Sequence, residues 1–204
     1  MVFSGHVFSS EVIPRKDALD FNLCTRQHQS PSPKMAQGTD ILQWTPPYAS
    51  FIKINVDAAF VPNKGATGAI AQDHDGQFLG CETSTFDATS SLMAESFACK
   101  LGISLAKSLS LQHVIIEGDA KNVTSTILGD SRDIPWSIRS VILDIRNEAN
   151  SLDNIRFIDV PKHVNQLAHN LCQYAMDENV TFRWNASYPP DCISSNLSFN
   201  LFFY

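Results

Sequence analysis

From Phe51 the chain alternates: Ile52, Ile54 and Val56 fall between Lys53, Asn55 and Asp57, which is the two-residue period of a strand with one face on a core. Asn63-Lys64-Gly65 reads as a turn, the small-residue run from Gly65 to Asp73 as a second strand, and Asp75-Gly76 as a hairpin signal before a third strand, Gln77 to Thr85. The period then lengthens. Leu92, Phe97, Ala98, Leu101, Leu105 and Leu109 form a helical stripe from about Ser90 to Ser108, with Ser90 or Ser91 as N-cap. The β-branched run from His113 to Glu117 predicts a fourth strand, after which Asp119 is placed to cap a helix reaching about Leu128. Pro135 suits a helix start, and Ile138, Ile142, Ile145 and Ala149 continue its stripe. Ile155 to Val160 predicts a fifth strand, and Val164 to Met176 a last helix with Leu167, Leu171 and Tyr174 turned inward. The expected order is β-β-β-α-β-α-α-β-α.

The flanks behave differently. Residues 1–43 contain Ser-Pro-Ser-Pro and no sustained period, and are expected to be a flexible leader. Trp44 with Pro46 and Pro47 marks the boundary of a compact region spanning 44–178. Beyond it, 179–204 is expected to be an irregular tail, whose aromatic end either packs back on the domain or frays.

A chain of 204 residues with 44% hydrophobic and 18% charged residues suits one globular domain with appendages. Its formal net charge of -6 is concentrated: Tyr48 to Glu178 holds 10 Lys and Arg against 16 Asp and Glu. That balance argues against a tight, non-specific binder of nucleic acid, which selects basic surfaces. Five scattered cysteines without a CxxC pair exclude a complete disulfide framework and point to a reducing, intracellular setting, nucleus and cytoplasm being equivalent on this evidence. Cys99 and Cys172, on apolar stretches, read as buried thiols, and Phe60, Phe97 and Trp136 as packing aromatics. No uninterrupted apolar run suggests a secretory signal or membrane span, so no membrane partner is expected.

The candidate chemistry is carried by three acidic residues: Asp57 in KINVDAAF, Glu95 in SLMAESFACK and Asp119 in VIIEGDAKNV. Brought together by one fold, three carboxylates repel one another unless hard divalent cations neutralise them. Ser91, Lys121 and Asn122 flank them and are placed either to touch a substrate's phosphates and 2′-hydroxyls or simply to face water.

These segments, in this order, resemble a known family. Trp44-Thr45-Pro46-Pro47, Lys53 to Phe60, the Gly65 to Ile70 run with Asp75-Gly76 downstream, Ala94 to Ala98, Glu117 to Val123 and Val160 to Leu171 are similar to the ribonuclease H-type domain of plant non-LTR retroelements and the stand-alone proteins derived from them. The resemblance covers Trp44 to Ala175. It implies an α/β, ribonuclease H-like fold: a mixed five-stranded sheet, three antiparallel strands then two parallel ones, flanked by helices. It implies hydrolysis of the RNA strand of an RNA–DNA hybrid by a monomer using two Mg²⁺ or Mn²⁺ ions, with Asp57, Glu95 and Asp119 as metal ligands.

At the family's fourth acidic position, in N-x-x-A-D-x-L, this chain has Asn165, Ala168, His169 and Leu171, so the fourth candidate catalytic residue is His169. Imidazole ligates Mn²⁺ but is a weak partner for Mg²⁺. The resemblance also implies a flexible, His-bearing loop before the last helix, yet Val160-Pro161-Lys162-His163 is shorter than such a loop. An alternative therefore stands beside the nuclease: a domesticated module, catalytically weak or inactive, that binds nucleic acid or a protein partner.

Overall fold

The computed structural model describes residues 43–195 and 197, so the 1–43 leader lies, but for its last residue, outside the described residues. Strands β1 (Ile52–Val61), β2 (Lys64–Gln72) and β3 (Phe78–Phe86) form an antiparallel meander. Helix α1 (Ser91–Ser108) crosses to β4 (His113–Gly118), which pairs parallel to β1. Helices α2 (Lys121–Leu128) and α3 (Arg139–Ala149) lead to β5 (Asn154–Asp159), parallel to β4. A short 3₁₀ turn, Lys162–Val164, enters α4 (Gln166–Glu178).

The expected five strands are present in the expected senses, and a sixth joins them. β6 (Phe182–Asn185) pairs antiparallel with β3, giving the order β5-β4-β1-β2-β3-β6. The segment after Val180, expected to be irregular, thus holds a strand and a one-turn helix, α5 (Asp191–Ser194). Tail residues Ile193 and Leu197 are buried against Ile70, Phe78 and Cys81. Its pattern is too short to show a period: four residues of strand gain their stability from pairing with β3, including the Arg183–Glu82 ion pair at 2.8 Å.

The sheet has a core on each face. Ile54 and Val56 of β1 point into the larger one with Ile103 and Leu105 of α1, Val123 and Ile127 of α2, and Ile142 and Ile145 of α3. The other face packs Ala59 and Ala66 against Cys172 and Ala175 of α4, and Ile70 against Ala168 and Leu171. The small residues of β2 explain how closely α4 approaches. A Cβ on Gly68 would lie 2.9 Å from the backbone nitrogen of Cys172 and 3.1 Å from the carbonyl of Ala168.

The polar positions of β1 do not face water. Lys53, Asn55 and Asp57 are all buried, on the face covered by α4 and the segment around Trp44. Lys53 pairs with Glu117 at 2.8 Å and donates to the carbonyl of Thr45, while Trp44 Nε1 donates to Asn55 Oδ1. Burial of polar groups is tolerable when each finds a partner, and this row does. Two other expectations change. Trp136 is 90% exposed rather than packed, because Ile138 is the residue of its 3₁₀ turn that enters the core. No described helix is long and apolar enough to cross a membrane.

Candidate carboxylate and imidazole–thiol site

The site forms where β1 and β4, parallel neighbours, run toward α1 and α4. Asp57 stands opposite Gly68 in the β1–β2 ladder, where the missing side chain lets α4 settle over it. Glu95 lies one turn into α1, whose N-terminus is fixed by Ser90 Oγ accepting from the Met93 backbone N–H at 3.2 Å. Asp119 follows the last residue of β4.

Asp119 does not cap α2, as its sequence context predicts; Ala120 occupies that position without a side-chain hydrogen bond. The Asp119 carboxyl lies instead with those of Asp57 and Glu95, while its carbonyl accepts from the Lys121 N–H at 3.1 Å.

Asp57, Glu95 and Asp119 come together, each offering an oxygen within 4.8 Å of the others'. Partial burial pushes Glu95 up to about 8, reinforced by the charges of Asp57 and Asp119 and opposed by Lys162. Burial also raises Asp119, with the Asp57 charge adding to it and its own backbone N–H and Lys162 working against it. Glu95 in the metal-free cluster therefore keeps its proton into the neutral range, which is the response of a buried carboxyl lacking a counter-charge. An all-oxygen donor set in that condition fits a hard divalent cation.

His169 is at the site too, not on an outer helix face. Its Nδ1 lies 2.8 Å from Asp57 Oδ2, and its side chain keeps 26% of its surface exposed. Two residues that sequence reasoning gave no role complete the surroundings. Cys172, one turn on from His169, has its Sγ 3.2 Å from the same Asp57 oxygen and 3.2 Å from the His169 carbonyl. Burial first, then the Asp57 charge and hydrogen bond, pushes the Cys172 thiol far up.

Asn165 ties α4 to β1 beside Asp57. Its Nδ2 donates to the Val56 carbonyl at 2.8 Å, its Oδ1 accepts from Asn55 Nδ2 at 3.2 Å, and its carbonyl accepts the first helical bond from the His169 N–H. The signals were present: Cys172 follows His169 at i,i+3, and Asn165 precedes His169 by one helical turn.

The remaining candidates surround the cluster without joining it. Ser91, Lys121 and Asn122 are exposed, and Asn122 Oδ1 accepts from the neighbouring Val123 N–H. His163 is exposed and lines a separate cavity of about 540 Å³ with Trp44, Gln72 and Leu167.

Residues 55–175 match the model of a family described as reverse transcriptase-like. No curated protein matches the chain significantly. Among solved structures, RNase H1 of Halobacterium salinarum is similar over 63% of this chain and 98% of its own, with 20% identity and a TM-score of 0.58. The N-terminal RNase H domain of a Mycobacterium tuberculosis protein gives 20% identity and a TM-score of 0.58 over 63% and 94% of the two chains. An RNase H1 from compost, solved in complex with an RNA/DNA hybrid, gives 18% and 0.58 over 63% and 98%. At these identities the likeness describes the fold, which is ribonuclease H-like.

Proposed function

The chain belongs to the reverse transcriptase-like family, and from that membership we propose that it is a metal-dependent endoribonuclease cleaving the RNA strand of RNA–DNA hybrids. The observation that carries the reading is the convergence of Asp57, Glu95 and Asp119 from β1, α1 and the end of β4, with oxygens within 4.8 Å of one another. These three carboxylates would hold Mg²⁺ or Mn²⁺, two ions in the full arrangement. When bound, the cations would supply an activated water and charge stabilisation at the leaving 3′-oxygen.

The rest is work for the protein's own side chains. Asp57, 4% exposed, is fixed by strand pairing and by His169 and Cys172 on one oxygen, so its position is set before any ligand arrives. Glu95, raised to about 8 in the empty cluster, must shed its proton, and Asp119, raised in the same direction by burial and the Asp57 charge, gives up its own more readily once a cation is bound. Lys162, whose charge is felt at both, offsets part of the negative field a phosphodiester would meet. The order of motifs from Trp44 to Leu171 supports a retroelement-derived, plant-type member, and the scattered cysteines without a CxxC pair support an intracellular setting for it, as a monomer in our reading.

The test is cleavage of a labelled RNA–DNA hybrid in Mg²⁺ and separately in Mn²⁺, with Asp57→Asn as control. Cutting that depends on Asp57 is expected. Undiminished cutting by the variant, or none by folded wild-type protein in either metal, overturns the reading.

One observation favours a second reading, a catalytically weak module that still binds nucleic acid or a protein. His169 stands on Asp57 at 2.8 Å where a fourth carboxylate is expected, removing one negative charge from the site. His169→Asp separates the two: a large gain in cleavage identifies an impaired site, and an unchanged rate in a protein that cleaves weakens the second reading.

A further inference from the structure

Asp57 belongs to two donor sets, and the second differs in kind from the first. His169 Nδ1 and Cys172 Sγ converge on Asp57 Oδ2 at 2.8 and 3.2 Å, and the three donors all lie within 4.8 Å of one another. This is one nitrogen, one sulfur and one oxygen, in place of three oxygens. Such a mixture suits a borderline cation with affinity for thiolate and imidazole, whereas Mg²⁺ and Ca²⁺ select oxygen.

The dimensions agree. Metal–ligand bonds of about 2.0–2.3 Å in a tetrahedron set donor–donor edges of about 3.3–3.6 Å, so the two contacts on Asp57, at 2.8 and 3.2 Å, need to open by about half an ångström or less, and the third lies within 4.8 Å. The charge balance agrees as well. Thiolate, carboxylate and neutral imidazole bring two negative charges, and a divalent cation cancels both in a place where unpaired charge is costly. Cys172 is fully buried and Asp57 nearly so, while His169 keeps part of its ring in solvent. That exposed side provides entry and a fourth position for water, the open-coordination pattern of three-ligand zinc sites.

We propose that Asp57, His169 and Cys172 form a Zn²⁺-type site, separate in chemistry from the three-carboxylate cluster but sharing Asp57 with it. On binding, the Cys172 proton passes to solvent and the sulfur lone pair goes to the cation. The imidazole ligates as the neutral ring, through Nδ1 with its proton on Nε2. Because Asp57 cannot serve both sets fully, Zn²⁺ at this site acts as an inhibitor of chemistry at the carboxylates. The binding itself does not depend on the chain being a nuclease.

The experiment uses the full chain, with Co²⁺ as the spectroscopic stand-in and calorimetry for Zn²⁺. Wild-type protein is expected to show the intense near-ultraviolet band of a thiolate–Co²⁺ bond, which Asp119→Asn retains and Cys172→Ser loses. His169→Gln, a change at a part-exposed position that leaves the buried thiol in place, is expected to weaken Zn²⁺ binding by about tenfold or more. Absence of the band in wild type overturns the proposal, as does a band that survives Cys172→Ser and so belongs to another cysteine. Zn²⁺ affinity unchanged in His169→Gln overturns it too, and does so even if Cys172→Ser does not fold. Failure to cleave a hybrid leaves these readouts intact, so the two ideas fail separately.

Discussion

Glu95 shows how a single residue reports the state of the site. Its carboxyl, raised to about 8 chiefly by burial and secondarily by Asp57 and Asp119, is neutral in the metal-free fold near pH 7. In the unfolded chain the same group titrates near 4.5. A folded value above the unfolded one means the native state binds the extra proton, so its stabilisation is complete below about 4.5 and is lost as pH rises to about 8. Metal-free protein in a chelator should therefore melt at progressively lower temperature across that window and level off above it. Glu95→Gln should flatten the slope, and an unaltered slope in the variant would assign it to other groups. The three carboxylates were legible as residues because each stands in a distinctive local setting. What Asp119 does was not: a short acidic residue before a helix signals a cap, and only the neighbouring Asp57 diverts it. Trp136 failed for the opposite reason, since a large apolar side chain in a short turn carries no period to say which way it points.

Between β1 and α4 the fit depends on what β2 lacks. Replacing Gly68 with Ala would push a methyl to 2.9 Å from the Cys172 nitrogen and 3.2 Å from the Leu171 Cβ, both parts of the α4 body that cannot rotate away. Overpacking of this kind costs about 1–3 kcal/mol, and here it also lifts His169 and Cys172 off Asp57. Gly68→Ala should lower the urea midpoint and weaken Zn²⁺ binding together; loss of stability alone would show that α4 relaxes without moving its site-facing side. Asn165→Ala removes a partner from the buried Val56 carbonyl and one of the two acceptors of Asn55 Nδ2, which keeps Glu117 Oε2 at 3.3 Å. Losing these buried hydrogen bonds costs about 1–3 kcal/mol, measurable by the same denaturation. Sequence patterning placed the elements correctly because β1, α1 and α4 are long enough to display their periods. It misjudged the polar row of β1, since alternation shows that Lys53, Asn55 and Asp57 share a face but not what covers it. That cover, Trp44 and α4, comes from 8 or more residues away in the chain.

At the scale of the molecule, the family match ends at residue 175, yet the folded unit continues. The meander would otherwise end in an open edge at β3, and β6 covers it with main-chain pairing from Phe182 to Asn185. Beyond β6 the chain turns back across the same face, where Ile193 and Leu197 close the cluster around Ile70, Phe78 and Cys81. Tyr174 of α4 and Trp184 of β6 meet edge-on at 6.3 Å, linking the tail to the helix that carries His169 and Cys172. If this is a working part of the domain, truncation after Asn179 should do more than shorten the chain. Cys81, whose thiol is buried and held well above its ordinary pKa, should be nearly inert to a thiol reagent in the intact protein. In the truncated protein it should label readily under native conditions, with the folded baseline otherwise retained. Ile193→Ala, which removes one fully buried side chain from the same cluster, should cost about 2–5 kcal/mol without the gross change of a deletion. Equal labelling rates and an unchanged midpoint would place the domain boundary back at the end of α4. The expected result makes the tail the third side of the layer that presses α4, and with it the imidazole and thiol, onto Asp57.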